Sequence, residues 1–137
     1  MTKKISETLA AARATISDHA RWTQGAHARD LSGSPVQITD SRAVCFCADG
    51  ALALAAGVTV DDDGGWVRDD HYWEAAKLMR LAAERLAPTN SYVEINDADG
   101  VSVAGKPAHE GILAVFDLGI DLAKSREELN MTRMPPC

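Results

Sequence analysis

Asp49 lies inside the run Ala43 to Val60, AVCFCADGALALAAGVTV, and is the only charged residue in those eighteen positions. An unpaired ionised carboxylate in a core is costly, so such a group takes up a proton, pairs with a base or faces a cleft. Pairing with Arg29 or Arg42 is the expected solution; a cleft-facing Asp49 is the functional alternative. A second polar set joins Arg29 and Asp30 to Asn96, Asp97 and His109. An Asn-Asp pair caps turns, and an arginine ties a loop to a carboxylate through two parallel hydrogen bonds, which is the architectural reading. In the functional reading these residues line a small polar pocket, with Asp97 or Asp30 as base and His27 or His109 carrying the proton.

Other constellations are weaker. Cys45 and Cys47 stand two apart, without the turn spacing and second pair of a zinc site, so they read as small core residues and no metal or other cofactor is expected. A nucleophilic cysteine needs a base beside it, and nothing in the sequence sets His27, His71 or His109 against Cys45. The aspartates at 61–63 and at 97 and 99 resemble the start of calcium loops. Position twelve is then Tyr72 or Ala108 rather than glutamate, so both read as solvated turns. Trp66, between Gly-Gly and Val-Arg-Asp, reads as a loop residue that could anchor a protein partner.

The elements that must position these groups follow from composition and period. A chain of 137 residues with 46% hydrophobic and 25% charged residues fits one soluble domain. Fourteen basic against twenty acidic side chains give a net charge of -6, which disfavours a partner bound through phosphate neutralisation. The 43–60 run holds a charge and two glycines, so it is not read as a membrane span, and the N-terminal stretch lacks the apolar core of a signal peptide. Reduced cysteines and a cytoplasmic location are expected.

Ile5, Leu9, Ala12 and Ile16 predict a first helix to about Asp18. Residues 20–30 read as a second short helix or a continuation past a kink, and 31–40 as a loop. Asp40 or Ser41 would cap a buried central helix over 43–60, stopped by Gly57. The turn at 61–65 leads to a helix over 69–87, capped by Asp69 or Asp70 and ended by Pro88, with Glu74–Lys77 and Arg80–Glu84 at pairing distance. Residues 91–95 read as a turn of helix rather than a strand, and 96–100 as a turn. Pro107 opens a last helix over 107–124, burying Ile112, Val115, Phe116, Gly119, Ile120 and Ala123, and 125–137 form a loosely ordered tail.

WTQGAHARD at 22–30, CADGAL at 47–52, Asn96-Asp97 and the FDLGI at 116–120 together resemble an uncharacterised family of small bacterial and phage domains of unknown function. Asp49 stands where that pattern leads one to expect an aliphatic residue. The resemblance covers roughly residues 10–123, implies one helical domain and brings no activity.

The fold expected is therefore all-α: a single domain over 1–124, four to five helices around a buried central helix. The leading functional expectation is a small cytoplasmic interaction or regulatory protein, not an enzyme, that binds another protein through an acidic surface; a homo-oligomer is compatible with this. One alternative is a small-molecule enzyme built on Arg29, Asp30, Asp97 and His109, and another is an acidic mimic of nucleic acid.

Overall fold

The computed structural model describes residues 3–133, and its five α-helices are joined by two small antiparallel sheets. Helix α1 (Ile5–Ile16) presents Leu9, Ala12 and Ile16 to the core, all fully buried, and its start is closed by Glu7, whose carboxylate accepts the Lys4 N–H at 3.2 Å. Residues 20–30 do not form a second helix. A single 3₁₀ turn (His19–Arg21) gives way to an extended segment ending in β1 (Ala28–Arg29), which pairs with β2 (Cys45–Phe46).

This pairing corrects the expected central helix. Residues 43–46 are drawn into long-range extended structure: Val44 N–H donates to the Arg29 carbonyl and Thr23 N–H to that of Phe46. Only Ala48–Ala55 is helical (α2), capped by Cys47, whose sulfur accepts the Gly50 N–H at 3.3 Å. Asp40 caps nothing there; it accepts the Arg42 N–H and chelates that guanidinium. Gly57, at φ +81°, ends the segment, and the chain enters a hairpin of β3 (Thr59–Val60) and β4 (Trp66–Val67). Asp61 ties its turn by accepting the N–H groups of Asp63 and Gly65. The molecule is thus mostly helical rather than strictly all-α.

Helix α3 (Asp70–Leu86) keeps the expected cap and end: Asp69 accepts the Tyr72 N–H at 3.1 Å and Pro88 follows. The pairs Glu74–Lys77 and Arg80–Glu84 do not form ion pairs among the described residues. Tyr92–Asn96 is helical (α4), as expected. A reciprocal cap decides it against the β-preference of Tyr, Val and Ile, with Ser91 Oγ accepting the Glu94 N–H and Glu94 accepting that of Ser91.

Helix α5 (Ala108–Arg133) runs past 124, and its later turns are held: Glu127 accepts the Ser6 hydroxyl at 2.6 Å and the Ser6 N–H at 3.2 Å. The tail expected over 125–137 is therefore helical as far as Arg133, and residues 134–137, with Cys137, lie outside the described residues. The core is where α1 and α3 cross α5 and α2 closes the end, around Leu9, Leu52, Met79, Ile95, Ile112 and Phe116. Burying each such side chain is worth about 1.5–3 kcal/mol. No helix among the described residues is long and apolar enough to cross a membrane.

Candidate functional site

Shortening the central helix moves Asp49 from mid-helix to the first turn of α2, where free N–H groups and the helix dipole favour a negative charge. Its side chain is 15% exposed and faces a cleft. Neither Arg29 nor Arg42 pairs with it, contrary to expectation. Instead Oδ1 accepts two phenolic hydroxyls, Tyr72 at 2.7 Å from α3 and Tyr92 at 2.9 Å from α4. The other oxygen, Oδ2, lies 4.0 Å from His27 Nε2. Three elements distant in sequence thus fix one carboxylate and leave Oδ2 without a hydrogen bond among the described residues.

The cleft, about 240 Å³, is lined by Gly25, Ala26, His27, Cys47, Asp49, Val93 and Asp97, with no lysine or arginine among these described residues. Burial, and next the charge of Asp49, pushes the Tyr72 phenol up to about 12, and Tyr92 is raised for the same two reasons. Both remain hydrogen-bond donors at any ordinary pH. Burial also lifts the Cys47 thiol to about 11, so this cysteine lines the cleft as a neutral thiol and helix cap rather than as a nucleophile.

The raised phenols make a prediction. A tyrosine whose folded pKa exceeds its unfolded value lends stability in full below the unfolded pKa, near 10, and loses it as pH climbs through the folded value. Thermal melts should therefore show stability falling between pH 10 and about 12 for Tyr72. In the Tyr72→Phe/Tyr92→Phe variant that fall should be shallower, and an equal slope in both proteins would show that the phenols do not carry it.

Asn96 is the polar hub beneath the cleft and is 1% exposed. Its Oδ1 accepts the Trp22 indole N–H at 2.8 Å and the Ala48 N–H at 3.0 Å, while Nδ2 donates to the Thr23 carbonyl and to Asp97 Oδ1. Asp97 Oδ1 also accepts the Gly25 N–H, and the Gln24 amide donates to the carbonyls of Asn96 and Ala98. The 22–25 segment is so fastened to the end of α4. On its other side the His27 carbonyl accepts the Cys47 N–H, and Gly50 packs against that peptide so closely that a Cβ would overlap the carbonyl oxygen.

The remaining expected site residues do not join Asp49 and Asp97. Arg29 is spent on the loop, donating to Thr23 Oγ1, the Gln24 carbonyl and the Gly33 carbonyl rather than to a carboxylate. Asp30 folds its own turn, held below the usual carboxylate range first by the Ser32 hydroxyl and then by the Ser34 N–H. His109 is buried, with Nε2 2.6 Å from the Ile16 carbonyl and its ring against Trp22 and His19, and it lines a different cleft. Trp66 is a half-buried strand residue whose ring lies 4.4 Å from that of His27.

The two tyrosines were not identified as site residues from the sequence. A signal existed: helical spacing places Tyr72 on the buried face, and a buried tyrosine hydroxyl needs an acceptor, as Asp49 needed donors.

No curated protein and no solved structure matches the chain. Residues 1–121 match DUF6197, a family of unknown function, which bears out the resemblance to a family without assigned activity. With nearly the whole described domain inside that match, the chain belongs to the DUF6197 family.

Proposed function

We propose that this is a binding protein whose recognition element is the Asp49 cleft, and that the cleft takes a cationic nitrogen group, a primary ammonium or guanidinium, offered by a protein partner. The observation that supports this is the division of labour on Asp49. Two phenols saturate Oδ1, while Oδ2 has no hydrogen bond among the described residues, and Asp49 lines a cleft that also holds Asp97 and has no basic lining residue except His27. A fixed, partly desolvated carboxylate is a stronger and more directional acceptor for N–H donors than the solvated acids elsewhere on the surface. The free thiols of Cys45 and Cys47 suit a reducing compartment and support a cytoplasmic setting.

The test is an NMR titration of the full chain with n-butylammonium and agmatine, with n-butanol as the neutral comparator. The amide signals of Gly25, Ala26, Val93 and Asp97 should move with both cations and not with the alcohol. Asp49→Asn, whose amide oxygen can still accept both phenols, should keep the fold and bind about tenfold more weakly, a loss of about 1.4 kcal/mol. Equal binding by Asp49→Asn, or shifts confined to other surfaces, would remove the cleft from consideration.

The enzyme reading keeps one observation, the His27 imidazole beside Asp49 Oδ2. Turnover of a bound amide or ester that disappears in both His27→Ala and Asp49→Asn would favour it over simple binding; turnover surviving either change would sink it.

A further inference from the structure

The hairpin and the start of α3 place three aromatic rings around one guanidinium. Arg68 Cζ lies 5.0 Å from the Trp66 ring centroid, 5.6 Å from that of Tyr72 and 5.5 Å from that of Trp73. These rings brace one another: Trp66 meets Tyr72 edge-on at 6.4 Å, Tyr72 meets Trp73 edge-on at 5.1 Å, and His27 backs Trp66. The Tyr72 hydroxyl is anchored on Asp49. Their arrangement therefore does not depend on the arginine, which is exposed and makes no ion pair among the described residues. Trp73 remains 49% exposed, a large apolar surface to leave in water beside a cation.

We propose that the Trp66–Tyr72–Trp73 face is a subsite for an alkylated ammonium or guanidinium group, and that the chain's own Arg68 occupies it in this structure. Ring faces attract cations through their quadrupoles, and delocalised or alkylated cations gain most because they give up little hydration. Arg68 shows that the face accepts such a group. An exposed cation–π contact is weak enough for a ligand cation to displace it, and the incoming cation must also replace the hydrogen bond of the Arg68 guanidinium to the Tyr72 hydroxyl. The subsite meets the Asp49 cleft at Tyr72, which donates to Asp49, and at His27, which lines the cleft and backs Trp66, and it stands whether or not that cleft binds amines.

Choline is the probe, with 3,3-dimethyl-1-butanol as its uncharged isostere, and binding to the full chain is followed by the indole N–H signals of Trp66 and Trp73. Arg68→Ala should bind choline about five-fold tighter than the unsubstituted chain, because the resident cation is gone. Arg68→Met, which keeps the aliphatic bulk, should show the same gain and replaces Arg68→Ala if that variant loses its fold. Adding Trp73→Leu should abolish the gain, whereas adding Asp49→Asn should leave it intact. Failure of the Asp49 reading would instead appear as absent butylammonium shifts with the choline response preserved. The proposal is overturned if both Arg68 variants bind choline no more tightly than the unsubstituted chain, or if the alcohol binds as well as choline does.

Discussion

Replacing Asn96 with alanine should lower the melting temperature by roughly 12 °C, the equivalent of about 3 kcal/mol in a domain of this size. The loss comes from what is left behind rather than from the amide itself. Trp22 Nε1 and the Ala48 N–H both donate to Asn96 Oδ1, and both would be stranded where water has little access. Ala48 is also the first residue of α2, so the loss falls on the helix that presents Asp49. Asn96→Asp separates the two halves of the hub. It keeps an acceptor for Trp22 and Ala48 but turns the 2.8 Å contact with Asp97 into a repulsion. A melting temperature for Asn96→Ala within about 3 °C of the parent would show that the 22–25 segment does not depend on this hub.

Gly50→Ala should be at least as damaging, against the usual rule that alanine in a helix gains about 1 kcal/mol over glycine. An alanine Cβ would overlap the His27 carbonyl oxygen and come within 3.0 Å of its carbonyl carbon, and the obstacle is backbone. Either α2 or the 25–28 segment must withdraw, breaking the bond from Cys47 N–H to the His27 carbonyl. The expected cost is about 3 kcal/mol or more by calorimetry or denaturant unfolding. Because His27 and Asp49 face each other across this contact, butylammonium binding should fall with it. An unchanged or raised stability would mean that the β1–β2 pairing slides freely past α2.

The long elements were legible in the sequence. The faces of α3 and α5 could be read because each repeats its apolar period over several turns, and Asp69 and Pro88 mark the ends of α3. Strand β2 could not. Two residues are too few to show an alternation, and Cys45–Phe46 is extended only because a segment some seventeen positions earlier pairs with it. Read locally, its apolar side chains continue those of α2, which made one long helix out of a strand, a cap and a short helix. The Ser91-x-x-Glu94 cap, by contrast, stood in the sequence as a helix signal for 92–96.

The site was half legible for a related reason. Asp49 stood out because a lone carboxylate in apolar surroundings demands an explanation, and Asp97 does come to the same cleft. Arg29, Asp30 and His109 stood out equally, but their chemistry is spent largely on backbone: three carbonyls and two N–H groups of the irregular 23–34 loop and the end of α1. In a fold with short strands and long connections, polar side chains take over the work of a sheet ladder, and from sequence that role looks the same as a site.

The clasp between Ser6 and Glu127 has a consequence for how the chain comes into being. Helix α1 packs on α2 and α5, and its hydroxyl partner emerges 121 residues after it. At a synthesis rate of about 5–20 residues per second, the first helix waits on the order of ten seconds before that partner leaves the ribosome. During this interval Leu9, Ala12 and Ile16 have α2, and later α3, to cover them but not the later turns of α5. Until α5 arrives, α1 is a place where the nascent domain offers apolar surface to chaperones and proteases.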